Sequence, residues 1–452
     1  MKTLLVFFLL SLPLQIGRHF WPDFSIVYGL KVDFLSPVIY LQDLILLPMI
    51  FLSGKTIVSF LKSYRKHFFL LFIFIIVNVF LSLNGLVALF FWIRIIELGC
   101  LILITAGNTR FIFEKLKVIV PYQIILEGLL GIAQVINKGS LTGLYWFLGE
   151  RDFSFYSWNI AKAKIFGLTF LRPLGTFSHS NSLAAFIFIC LIIVIFKPKK
   201  YFPDKIALFL GSILIFLCFS RTVLIAGLLL GLFFLAAKII FLFKQNLSKF
   251  NPPSRNSPIV RLREAETLFR FGRISALTKR IIEIFQPSGR GSFNFNYFVL
   301  LILMPVMAFF TTNGYLPFPS LIIRRNLMQF SIDLIKHNLF FGIGANNFIL
   351  ALANGYNNWE WLNWMQPVHN IFLLLISETG LIGFFGFLYL LFLCLRRLIR
   401  QNNSNSKHIL LISLCFIVFT GMFDHYWFTL IQNQLLFAVI LGLSLNIKNA
   451  KI

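Results

Sequence analysis

Apolar residues run along this chain in blocks of about 14 to 24, separated by short polar or basic breaks. Half-buried strands alternate over only about four to eight residues, so blocks this long read as helices apolar on every face. The pattern predicts helical spans near 3–17, 37–53, 67–83, 85–106, 117–136, 183–196, 206–219, 222–243, 297–312, 370–395, 409–424 and 427–446. The first follows Lys2 like a signal h-region. It has no small-x-small cleavage site after Pro13, so it reads as an uncleaved span. Connections near 137–182 and 313–369 are long and fall on one side; 244–296 is long on the other.

Composition says what solvent those blocks face. Of 452 residues, 58% are hydrophobic and 13% charged, with mean hydropathy +0.84. A soluble chain carries about twice that charged fraction. Too few polar side chains exist to coat a surface in water, and 57 phenylalanines lose nothing in hydrocarbon. The expected fold is an all-α polytopic membrane bundle of about 12 transmembrane helices, with interfacial helices in its two long outer loops. It divides into N-terminal helices over 1–164, a core over 165–385 that includes outer loop 313–369, and C-terminal helices over 386–452.

A net charge of +25 would suit nucleic acid if the basic residues lay on one folded surface. They cluster instead between apolar runs, which sets topology. With the N-terminus inside, roughly 28 basic residues fall in inner loops and about 11 outside. Both termini are then cytoplasmic, and anionic lipid headgroups, with no nucleic acid, are the expected counter-charge. The five cysteines lie in apolar segments without C-x-x-C spacing, as small buried residues.

Polar residues suited to chemistry gather at the outer ends of the spans. They include Arg172 and Asn181 before the span at 183, Arg221 in Ser220-Arg221-Thr222, and Arg324 with Arg325 on an amphipathic stretch over 320–337. His369 and Asn370 stand at the mouth of the next span, and Asp424 with His425 in the last outer turn. An arginine at a helix end ordinarily snorkels to headgroups, yet outer-face arginines run against the topology rule; a diphosphate ligand supplies a reason. His369 reads either as an interfacial hydrogen-bonding residue or as a base. Trp359, Trp361 and Trp364 read as a headgroup belt or a sugar-stacking platform. Within spans, Arg94 and Glu97 pair at i,i+3, and Gln123, Glu127 and Gln134 share a face as interhelix glue or a cavity edge. No Walker loop, zinc-protease motif or outer D-x-D metal clamp is present.

Several of these segments, in order over about 165–385, resemble the O-antigen ligase and polymerase family of bacterial membrane glycosyltransferases. His369-Asn370, then nine residues, then Gly380-Leu381-Ile382-Gly383, is similar to its H-N-x9-G-x-x-G pattern, with Glu378 in the E-x-G-L position. Arg324-x-x-Leu327-Met328 followed by Gly342-Ile343-Gly344 resembles R-x-x-L-W…P-x-x-G-V-G. Arg172-Pro173-Leu174-Gly175-Thr176-Phe177…Asn181 resembles R-x-x-G-T-F-x-H-P-N, and Ser220-Arg221-Thr222 its S-R-T turn. Leu339, Ser180 and Met328 depart from the pattern without removing a charge.

The resemblance implies a GT-C-like fold in the cytoplasmic (inner) membrane with its active site on the outer face. It implies glycan transfer from a polyprenyl-diphosphate-linked donor to a glycan, lipid or protein acceptor, without metal or other cofactor. His369, Arg221 and Arg324 take the catalytic roles. Arg172, Asn181, Arg325, Asn370, Glu378, Asp424 and His425 bind substrate. Ligase, polymerase and protein O-glycosyltransferase activities stay open. The rival is a lipid-linked oligosaccharide flippase or other polysaccharide transporter, which predicts charges along a midplane path.

Overall fold

The computed structural model describes residues 1–157, 160–165, 168–249, 318–355, 365–401 and 404–446. Each of the eleven apolar blocks in that range forms a helix. The twelfth, 297–312, lies outside the described residues, as do Trp359, Trp361, Trp364 and most of loop 244–296. In chain order the helices begin with α1 (Lys2–Ser11), α2 (Leu41–Leu52), α3 (Gly54–Ser63), α4 (Arg65–Phe80) and α5 (Gly85–Gly107). There follow α6 (Thr109–Asn137), α7 (Ser180–Ile195), α8 (Phe202–Cys218), α9 (Arg221–Lys249), α10 (Phe318–His337) and α11 (Phe348–Gly355). The last are α12 (Ile371–Arg400), α13 (Asn405–Gly421), the short α14 (Tyr426–Thr429) and α15 (Ile431–Leu445).

Helices α5, α6 and α12 are long and apolar enough to cross a membrane, and the pair α2–α3, bent by 70° at Ser53, makes a fourth if counted as one span. Helices α7, α13 and α15, at 16, 17 and 15 residues, are apolar but reach only about 22–26 Å at 1.5 Å per residue. The chain is not wholly helical. Three two-stranded antiparallel sheets pair β1 (Gly17–His19) with β4 (Val38–Tyr40), β2 (Ile26–Val27) with β3 (Leu30–Lys31), and β5 (Lys162–Ile165) with β6 (Leu168–Leu171). All three lie in connections, where the backbone has no helix to satisfy its polar groups.

At the centre stands α7. Every residue in it but Asn181 is buried, against α6, α8, α13 and α15. A helix apolar all round requires such enclosure. The polar stripe of α6 acts as glue: Gln123 Nε2 donates to Leu9 O of α1 (2.7 Å), and Glu127 accepts from Thr176 Oγ1 (2.6 Å) and Thr176 N (3.1 Å). Gln134 Oε1 accepts from Leu174 N (3.0 Å) and Gly175 N (2.8 Å), so the chain that carries Arg172 is moored to α6. Arg94 bonds Glu97 (2.6 Å) as the spacing implied and also makes a fork with Asp43 of α2 (2.5 and 2.8 Å).

A second junction joins α4, α12 and the segment between α10 and α11. Helix α12 breaks at Gly380 (φ 65°, ψ −172°), and the freed carbonyls of Ser377 and Glu378 accept the N–H groups of Ile343 (2.9 Å) and Gly344 (3.0 Å). In return, Leu381 N donates to Leu339 O (2.9 Å). A Cβ at Gly380 would stand 2.2 Å from the Phe340 carbonyl carbon. The wholly buried Asn78 of α4 closes the joint. Its Nδ2 donates to Phe341 O (2.8 Å) and Glu378 O (3.1 Å), and its Oδ1 accepts from Trp92 Nε1 (2.9 Å) and Ala345 N (3.1 Å).

Candidate active site

Four helix ends meet on one side of the bundle. Helices α7, α9 and α12 start there and α13 stops there, as their alternating directions require. An apolar helix leaves its first N–H groups without partners, so polar side chains collect at such ends. His179 is the N-cap of α7, its Nδ1 accepting from Asn181 N (3.2 Å). Asn370 caps α12, its Oδ1 accepting from Phe372 N (2.9 Å) and Leu373 N (3.0 Å). Its amide also donates to Met422 O (3.0 Å), which ties the His369 segment to the turn carrying Asp424 and His425. Asn370 therefore positions its neighbours through bonds to backbone, and one of its two amide hydrogens is left over.

Asp424 is the hub. It is buried; Oδ2 accepts from Asn181 Nδ2 (2.9 Å) and Oδ1 from His425 N (2.9 Å). Asn181 Oδ1 accepts in turn from Arg172 Nη2 (2.5 Å), and Arg172 Nε donates to Cys218 O at the end of α8 (2.6 Å). The rings of His369 and His425 meet edge to face with centroids 5.1 Å apart. His425 Nδ1 lies 2.7 Å from Thr429 Oγ1, and Phe34, from the connection before β4, packs edge-on against the His425 ring (5.7 Å). Arg324 Nη1 donates to Phe423 O (3.1 Å), which brings α10 to the same turn. Its charge is felt by Arg172, Arg221, His179, His369, Asp424 and His425.

The electrostatics follow. Burial pushes the imidazoles of His369 and His425 below their ordinary value; the nearby Arg324 adds to this and Asp424 opposes it. Burial alone would raise the Asp424 carboxyl, but the three imidazoles and Arg324 overcome it and hold the group well below the carboxylate range. Burial also brings Arg172 down to about 10, which leaves it cationic at neutral pH. His179 is exposed to solvent although Asp424, Arg172, His425 and Arg324 all act on it.

Of the residues singled out in the sequence, Arg172, Asn181, Arg221, Arg324, His369, Asp424 and His425 come together here. Arg325 is exposed, about 100° round α10 from Arg324. Glu378 is elsewhere employed: its buried carboxylate accepts from Phe348 N (3.2 Å) at the start of α11 and serves the Gly380 junction. His179 stands at the histidine of the stretch that resembles R-x-x-G-T-F-x-H-P-N and had no role assigned there, although a polar residue just ahead of an apolar helix is a capping signal. The sequence carries no metal motif either. Among the described residues, His369, Asp424 and His425 form one group whose ligand atoms lie within 4.8 Å of one another, drawn from positions too far apart in sequence to register as a motif.

No family model and no curated protein matches this chain. Its function rests on geometry and chemistry.

Proposed function

We propose that the chain is an integral membrane glycosyltransferase of the O-antigen ligase or polymerase type. It passes a glycan from a polyprenyl-diphosphate carrier to an acceptor hydroxyl on the outer face of the inner membrane, within a bundle of about 12 spans. The observation that carries the reading is the convergence of Arg172, Arg221 and Arg324 with His369 and Asp424 at one end of an apolar bundle. Three guanidinium charges less one carboxylate leave two positive charges among neutral imidazoles. A diphosphate esterified at both ends carries two negative ones. The match needs no further ion.

In the step itself, the acceptor oxygen bonds to the anomeric carbon as the bond from that carbon to the diphosphate oxygen breaks. The leaving diphosphate keeps the electron pair, and the arginines stabilise its growing charge at a low-dielectric boundary. The hydroxyl proton passes to His369, neutral and so holding a free lone pair. Asp424 steadies the imidazolium that forms. Direct attack inverts the anomeric configuration. A flippase would place its unmatched charges through the bundle; here the buried ion pair of Arg94 is matched by Asp43 and Glu97, and the charge excess stands at one end.

The test is transfer of a polyprenyl-diphosphate-linked glycan in reconstituted vesicles, with products weighed by mass spectrometry. His369→Ala and Arg221→Ala should each reduce turnover by about a hundredfold or more, with insertion intact. Transfer at the wild-type rate by both variants would sink the proposal.

A further inference from the structure

We infer that His369, Asp424 and His425 bind a soft divalent transition ion, for which Zn2+ is the probe, and that its occupancy blocks the site rather than assisting it. Ligand atoms of the three side chains lie within 4.8 Å of one another. A formed tetrahedral zinc site holds them about 3.3 Å apart, so modest side-chain rotation completes it. Two imidazoles and one carboxylate are the donor set that transition ions favour.

The surroundings resemble those of metal ligands. Thr429 Oγ1 engages His425 Nδ1 (2.7 Å), which orients the ring and leaves Nε2 as the other donor. Asn181 Nδ2 and His425 N steady the Asp424 carboxylate at 2.9 Å each, and each oxygen keeps a second lone pair. His369 Nδ1 is buried without a hydrogen-bond partner. Buried polar atoms are seldom left so, and an ion would satisfy this one.

The neighbouring arginines decide which ions enter. Mg2+ and Ca2+ are held by charge and prefer several oxygen ligands. Here they meet one carboxylate and the guanidinium groups of Arg172, Arg221 and Arg324, and are refused. An ion that bonds strongly to neutral imidazole is retained. Bound there, it takes the lone pair on which His369 acts in the proposed transfer. The blocking half of the inference therefore rests on the proposed function; the binding half does not.

The experiment uses the full chain in lipid nanodiscs, freed of metal. Zn2+ is titrated against a chromophoric chelator, and Co2+ is followed by its visible absorption. One ion per chain is expected, with Mg2+ failing to compete. His425→Ala and Asp424→Asn should each weaken binding at least tenfold. Thr429→Val, which leaves all three ligands in place, should weaken it about tenfold while the protein elutes as wild type. Absence of stoichiometric binding by the wild-type chain, or equal binding by His425→Ala, overturns the site. Zn2+ bound with transfer unimpaired overturns the blocking half alone. A metal-free chain that transfers no glycan counts against the glycosyltransferase reading only, because ion binding is read without substrate.

Discussion

At Asp424 a single carboxylate answers Asn181, the N–H of His425 and the fields of three imidazoles and Arg324. Its depressed pKa and those of the histidines both make stability fall as the pH drops, over different ranges. Between pH 6.5 and about 3 the unfolded chain takes up protons at its histidines, whereas folded His369, which burial protects, does not until about 3. Stability is therefore present in full above pH 6.5 and falls as the pH drops through that window. Asp424 stays ionised in the fold throughout. Unfolding midpoints in detergent at pH 7, 5.5 and 4.5 should decline, and His369→Ala should flatten the decline; an unchanged slope would refute it. Much of this cluster was legible in the sequence, because Arg172, Arg221, His369 and Asp424 each stand at the end of an apolar block. The backbone employment of Glu378 and Asn370 was not. Near a motif, an acid or amide reads as a substrate contact, and its bonds to the orphaned N–H groups of a helix start leave no mark on the sequence.

Among the elements, helix positions were plain from the apolar blocks, but the break in α12 was hidden. Nothing polar interrupts Gly380-Leu381-Ile382-Gly383, and a glycine inside a helical block is tolerated. The sheets were hidden too, since strands of two to four residues are too short for alternation to show. Asn78 looks like one stray amide in a phenylalanine-rich helix. Replacing it with alanine leaves Trp92 Nε1, Ala345 N, Phe341 O and Glu378 O without that partner. With about 1–3 kcal/mol for each buried group left unsatisfied, a loss of at least about 3 kcal/mol is expected, read as a drop in the unfolding midpoint. Gly380→Ala should cost about 2 kcal/mol or more, because its backbone conformation is one that only glycine adopts readily and its Cβ would meet the Phe340 carbonyl. Wild-type stability in either variant would show that the junction yields where the packing says it cannot.

For the molecule as a whole, the exposed surface is rich in large apolar side chains. Phe51 and Phe80 are each 86% exposed, and Phe385 and Tyr389 of α12 are more than half exposed. Hydrocarbon is the solvent in which such a surface costs nothing. The proposed topology places Tyr156 outside and Lys199 inside. Tyr156→Cys should react with an impermeant maleimide in intact cells, and Lys199→Cys only after permeabilisation; the reverse pattern would put the His369 cluster on the cytoplasmic side. The break at Gly380 also reaches beyond its own neighbourhood. The half-helix ahead of it starts at the Asn370 cap, which braces the Asp424 turn, and its far end is riveted to α4 through Asn78. Remoteness from the histidines is thus a poor guide to harmlessness. Inherited lesions that silence this protein would surface deep in its oily interior as readily as beside the imidazoles.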